Sequence, residues 1–285
     1  MIANILDGLV FGLQLGLLAT GLTLVYGMGG ILNMAYGQIA VIAALIVSFA
    51  IDAGVPILLA IVIGLLAGGL VGLILDLTLL QPVYKLHEEP RVLLSLLLTL
   101  GLSFVIEGFL IWQFPLEALS IRVSGGVIDI LGVPMRTGSL LASAITLITF
   151  AALFLFFRYT SLGLAVRSVI EDEEGARLVG IRPNQMLRLI LFMSGVLAAL
   201  VAVTRSMVTP VDMHAGLSIT VFALIVTVVG GLGSVAGAFL AGIILGIINV
   251  VAADYIGSYV SLIMLLVAAA LTILIRPAGL LGVPE

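Results

Sequence analysis

Few residues in this chain are equipped to do chemistry, and most of them stand among apolar neighbours. Glu107 lies well inside the apolar run from Val92 to Phe114. A carboxylate ionised at the centre of a bilayer costs about 2.5–3.5 kcal/mol, so it must face water, a partner or the interior of a helix bundle. It could serve a transport path, or it could be a hydrogen-bonded pin between helices. A second group of polar side chains, Asn33, Tyr36 and Gln38, sits in YGMGGILNMAYGQ, from Tyr26 to Gln38, together with four glycines. Asn33 could cap a tight turn between two helices, or the three side chains could line a path through a broken helix. His87 and His214 are the only histidines, they are far apart in sequence, and there is no cysteine. Disulfides, thiolate catalysis and a Cys- or His-rich metal site are therefore excluded. No nucleophile–base–orienter set is evident, so catalysis by the chain is not expected, and neither a cofactor nor a metal is implied.

The most polar stretch is Arg158 to Arg188, RYTSLGLAVRSVIEDEEGARLVGIRPNQMLR. It holds five of the eleven Lys/Arg residues and four consecutive acids, Glu171 to Glu174. The pattern predicts a helix from about Leu162 to Val179, capped by Ser161, stopped by Gly180, with Pro183 opening the next helix. Glu173 and Arg177 stand at i,i+4 in the favoured order. Leu164, Val166, Val169, Ala176, Leu178 and Val179 add apolar contacts that a solvated loop would not need. The stretch is either a charged connector at a membrane surface or a docking helix for a cytoplasmic partner.

The elements that position these residues follow from composition. Of 285 residues 62% are hydrophobic and 9% are charged, and Gly8 to Ile51 contains no Asp, Glu, Lys or Arg. That length holds two spans of roughly 20 residues each. The fold class expected is an all-α integral membrane protein, a polytopic bundle of eight to nine transmembrane segments with glycine-broken helices, in one transmembrane domain over 1–285. A barrel would show short alternating segments instead. The 33 glycines suit membrane helices, where small residues let backbones approach closely. A net charge of −4, with few and scattered cations, argues against a nucleic-acid binder. The first span lacks a basic segment before it and reads as a retained helix rather than a cleaved signal.

The spans expected are roughly Ile5 to Tyr26, Leu32 to Ala50, Pro56 to Leu80, Val92 to Phe114, Ser139 to Phe157, Leu189 to Met207, one from Leu217 into a second glycine cluster, one on to about Val251, and Tyr259 to Ile275. The loop from Phe114 to Gly138 contains GGVIDILGVPM, which alternates in places and could form a short strand pair. Lys85, Arg91, Arg158, Arg167, Arg177, Arg182, Arg188 and Arg276 can all be cytoplasmic, leaving Arg122, Arg136 and Arg205 outside, as the positive-inside rule requires. The N-terminus is then outside if the Asn33 region separates two spans, and inside if one of them is re-entrant.

Four stretches in order carry a resemblance. They are GLTLVYGMGGILNMAYGQ (Gly21 to Gln38), GLAVRSVIEDEEGARLVGI (Gly163 to Ile181), VVGGLGSVAGAFLAGIILG (Val228 to Gly246) and the terminal RPAGLLG. Together they resemble the permease subunits of branched-chain amino acid ABC importers. The resemblance implies a multi-pass subunit of the bacterial inner membrane that works with a second permease, two cytoplasmic ATPase subunits and a periplasmic or lipid-anchored substrate-binding protein. It also implies that the docking stretch is the helix seated in an ATPase cleft, with Gly163, Arg167, Glu171, Asp172, Ala176, Gly180 and Ile181 matching the family's pattern. Substrate would pass inward along Asn33, Tyr36, Gln38 and Glu107. The chain has no G-x-x-x-x-G-K-[ST], and Lys85 is its only lysine, so ATP hydrolysis must come from partners. Tyr36 stands where the family usually has His, and Asn249 where it often has a carboxylate. Urea, short amides or other amino acids are alternative substrates, and the related sugar permeases are a more distant branch. The rival functions are an ion-coupled secondary transporter using Glu107, and a membrane enzyme using Glu107 or Asp254.

Overall fold

The structure, a computed structural model, describes residues 2–85, 88–121, 123, 126–130, 132–276 and 278–282. His87, Arg122, Gly125 and Pro277, which figured in the sequence reading, lie outside the described residues. The apolar segments form helices throughout. They are α1 (Ile2–Gly29), α2 (Tyr36–Asp52), α3 (Ile57–Leu75), α4 (Glu88–Gln113), α5 (Thr137–Tyr159), α6 (Ser161–Glu171), α7 (Glu173–Leu178), α8 (Pro183–Ser206), α9 (Ala215–Gly230), α10 (Val235–Ile256) and α11 (Ser258–Ile275). A π-helical turn, Asp76–Leu80, prolongs α3. Among the described residues seven helices are long and apolar enough to cross a membrane, while α2 and α9, at 17 and 16 residues, are shorter.

The strand pair expected in GGVIDILGVPM is present. β2 (Val127–Ile130) and β3 (Val133–Arg136) run antiparallel, with Val127 opposite Arg136. A second pairing had no signal in the sequence. β1 (Ala118–Leu119) pairs with β4 (Val211–Asp212) and ties the loop after α4 to the loop after α8.

The core forms around α1, whose Leu15, Leu17, Leu18 and Leu22 are all buried. Glycines set how closely its neighbours approach. A Cβ on Gly12 would lie 2.8 Å from the Gly242 carbonyl, and one on Gly246 would lie 2.2 Å from the Gly12 Cα. α1 and α10 thus meet backbone to backbone, antiparallel, and dispersion between closely packed main chains replaces side-chain interlock. The same close approach joins α3 to α8, where a Cβ on Gly68 would sit 2.6 Å from the Gly195 carbonyl. The outer helices turn apolar side chains away from the protein: Leu58 and Trp112 are each 77% exposed and Leu274 is 81% exposed. A patch of that extent suits hydrocarbon rather than water.

Contacts order the two ends of the bundle. Gly27, near the end of α1, lies against Gly233, and Arg91 reaches the Gly29 carbonyl. Arg188, near the start of α8, lies 4.0 Å from Asp76 at the end of the third span. This is the basic end. At the other end, the Asn4 amide donates to Asp254 at 2.6 Å, and Gly138 packs on Met207. The start of α1 therefore lies at the end of the bundle opposite the basic cluster.

Candidate functional site

The first candidate region is the interval between α1 and α2. The helix stops at Gly29, Gly30 takes a φ of +59°, and 30–35 run without helix before α2 begins. Backbone groups released inside an apolar bundle must find partners. Here α4 provides them. Ser95, Thr99, Ser103 and Glu107 are spaced at i,i+4 and form one polar stripe down α4. The Ser95 hydroxyl accepts from the Leu32 N–H at 3.2 Å, and Thr99 accepts from the Met34 N–H at 2.9 Å while donating within α4 to the Ser95 carbonyl at 2.7 Å. Glu107 accepts from the Gln38 carboxamide at 3.2 Å. On the other side, Thr220 of α9 accepts from the Gly37 N–H at 2.8 Å and donates to the Met34 carbonyl.

Asn33 accepts from the Ala35 N–H at 3.0 Å and closes a local turn that leads into α2. Tyr36 is fully buried, with its hydroxyl against Gly21. Gln38 is also fully buried and lies flat on Gly216. Glu107 keeps about a fifth of its side chain exposed and has His214 3.8 Å away, just before α9. The structure thus brings Gln38 and Glu107 together and adds His214 to them, while Asn33 and Tyr36 face other partners. Asn249 bonds Ser261 across α10 and α11 at 3.2 Å.

The second region is the docking stretch. It forms two helices where one was expected, because Asp172 is extended and accepts from the Gly175 N–H at 3.0 Å, which caps α7. The Asp172 carboxylate satisfies one of the N–H groups that the new helix end frees. Thr160, one residue before the expected Ser161, caps α6 by accepting from the Gly163 N–H. A Cβ at Gly163 would lie 2.2 Å from the Phe156 carbonyl, so the tight turn out of α5 requires glycine there. Gly180 has φ +87° and stops α7, Pro183 opens α8, and Arg177 pairs with Glu173, all as the sequence predicted. The apolar residues divide into two faces. Val166, Val169 and Ala176 are buried against the bundle, whereas Leu178 and Val179 are 89% and 77% exposed.

The distant motifs converge on the basic end. Gly27 and Gly233, one from each glycine cluster, face each other. The terminal tail lies on the second cluster, with the Leu280 N–H donating to the Val229 carbonyl at 2.9 Å. Glu173 and Arg177 of the docking stretch share one concavity with Gly29 and Arg91. Behind it, burial and the nearby Asp76 carboxylate push the Tyr84 phenol well above its ordinary pKa. Residues 4–275 match the family described as "Branched-chain amino acid transport system / permease component". The chain belongs to this family.

Among its relatives, the permease is 27% identical to the high-affinity branched-chain amino acid transport system permease protein LivH of Escherichia coli, over 98% of this chain and 94% of that one. It is 27% identical to the permease protein BraD of Pseudomonas aeruginosa, described with the same transport system, over 99% and 96%. It is also 27% identical to the fructose import permease protein FruF of Bifidobacterium longum, over 81% and 63%. No solved structure matches. Membership confirms a multi-pass α-helical permease component. The sequence reading missed Ser95, Thr99, Ser103 and Thr220. The i,i+4 spacing of the α4 stripe, with Glu107 as its last member, was the available signal.

Proposed function

We propose that this permease is the membrane-spanning subunit of an ATP-driven importer for branched-chain or closely related amino acids. One transmembrane domain carries the path, and the chain itself hydrolyses nothing. Its partners are a second permease subunit, two cytoplasmic ATPase subunits and a periplasmic or lipid-anchored binding protein, in a bacterial inner membrane with the basic end inside. The names of the LivH and BraD relatives support the substrate class.

The observation that carries the coupling role is the pair Leu178 and Val179, which stay exposed at the end of a capped helix whose opposite face, through Ala176, is anchored in the bundle. Two large apolar side chains held rigidly outward at a basic end suit a protein cleft better than water. Gly163, Asp172 and Gly180 fix the turns of this unit, Ala176 and Ile181 seat it, and Arg167 and Glu171 offer charge for register. Movement of the unit would pass to α8 through Pro183 and to the α3 end through Arg188 and Asp76. Asn33, Tyr36, Gln38 and Glu107 would then form the path region, in which Tyr36 and Gln38 are fully buried. ATPase cycling would open it by alternating access.

A gentle detergent pull-down from native membranes tests the proposal. P-loop ATPases and a second permease in the eluate are the expected result. A chain that emerges alone, with transport intact, would contradict it.

A further inference from the structure

Outside the path region, a cavity of about 680 Å³ opens between α1, α5, α6 and α10 near the basic end. Phe150, Phe154, Phe157 and Phe239 line it, and Phe150 and Phe239 pack ring to ring at 4.1 Å. The mouth is different. Arg158, in the last turn of α5, and Arg167, on α6, both reach it, as does Glu171. The Arg158 guanidinium lies 5.7 Å from the rings of Phe154 and Tyr159. Among the described residues neither arginine has a carboxylate within ion-pair distance.

We infer that this cavity binds one anionic phospholipid of the surrounding membrane, with an acyl chain among the phenylalanines and its phosphate at Arg158 and Arg167. Three features point to that occupant. The wall is continuous with the membrane-facing side of α5, where Ile148 is 69% exposed and Leu155 is 53% exposed. From Phe150 to Arg158 the cavity follows eight residues of helix, about 12 Å, so the apolar depth and the cationic mouth are separated as a tail and a head are. Two guanidinium groups and one carboxylate leave a single net positive charge, which matches one phosphodiester. Arginine suits phosphate through its planar fork of donors. A lipid held there would prop α6 against α1 and α10, because the cavity wall includes Leu24 and Val235 of those helices.

The test uses the full chain, purified and stripped of lipid, with phosphatidylglycerol and phosphatidylcholine of identical acyl chains as probes and native mass spectrometry as the readout. One saturable phosphatidylglycerol per chain is expected, with phosphatidylcholine roughly fivefold weaker, as one net positive charge at the interface would produce. R158Q/R167Q should bring the two lipids to equal affinity. Ala151→Phe, which keeps both arginines and fills the apolar wall, should lower binding of both; it carries the test if the double variant does not fold. Equal binding of the two lipids by the unmodified chain would overturn the inference, and so would phosphatidylglycerol binding that survives Ala151→Phe. A photoreactive residue at position 151 in native membranes should capture lipid. Capture of a second permease or an ATPase chain there would assign the cavity to a protein partner instead.

Discussion

The Thr99 hydroxyl accepts the backbone N–H of Met34 at 2.9 Å, which ties α4 to the broken interval between α1 and α2. α4 is otherwise a peripheral helix, exposing Leu93, Val105 and Trp112. Its attachment to the bundle combines these polar bonds with one apolar stripe, Leu98, Leu102, Ile106 and Leu110, packed on the core.

Thr99→Val keeps the shape and removes this bond, leaving the half-buried Met34 N–H unpaired. The expected loss is about 1–3 kcal/mol. Thermal unfolding of the purified chain should show it, and Thr99→Ser should restore most of it. Ser103→Ala is the control, since the Ser103 hydroxyl is buried without a hydrogen-bond partner and its removal should be neutral or slightly stabilising.

Glycines that look alike in the sequence should respond differently. Gly246→Ala places a methyl 2.2 Å from the Gly12 Cα, so α1 and α10 must separate. Overpacking of this kind costs about 1–3 kcal/mol or more, and folded yield in detergent should fall. Gly101→Ala on α4 meets nothing within 4 Å. It should be tolerated or raise stability by up to about 1 kcal/mol through helix propensity.

The contrast between those glycines shows where sequence reasoning stops. Long apolar runs marked the helices because membrane thickness sets their length. Local chemistry also marked Gly180, Pro183 and the Glu173–Arg177 pair, since helix ends and i,i+4 pairs depend only on near neighbours. The break at Asp172 escaped notice because its capping bond competes with helix continuation on nearly equal terms. The roles of Gly12 and Gly101 separate only when the facing helix is known. The same holds for the α4 stripe, whose spacing was visible but whose partner, the interval 30–35, is far away in sequence.

Tyr36→Phe separates structure from transport. The hydroxyl is buried beside Ser194, so the variant should lose no more than about 1 kcal/mol of stability. Uptake affinity or selectivity should change if Tyr36 belongs to the path. Unchanged uptake kinetics would remove it from the path and leave it as packing against Gly21.

Leu178→Asp with Val179→Asp alters only the outward face of α7. Surface changes of this type usually shift stability by within about 0.5 kcal/mol, so expression and membrane insertion should be preserved. Coupling should be lost, seen as partner ATPase activity that no longer responds to substrate and binding protein.

The most direct measurement is uptake of radiolabelled leucine into proteoliposomes containing the co-purified complex, with and without ATP and with the ion gradients collapsed. The account predicts uptake that requires ATP, survives loss of the gradients and disappears in the Leu178→Asp, Val179→Asp variant. Uptake that proceeds without ATP, collapses with an ion gradient and is abolished by Glu107→Gln would contradict it and identify a secondary transporter.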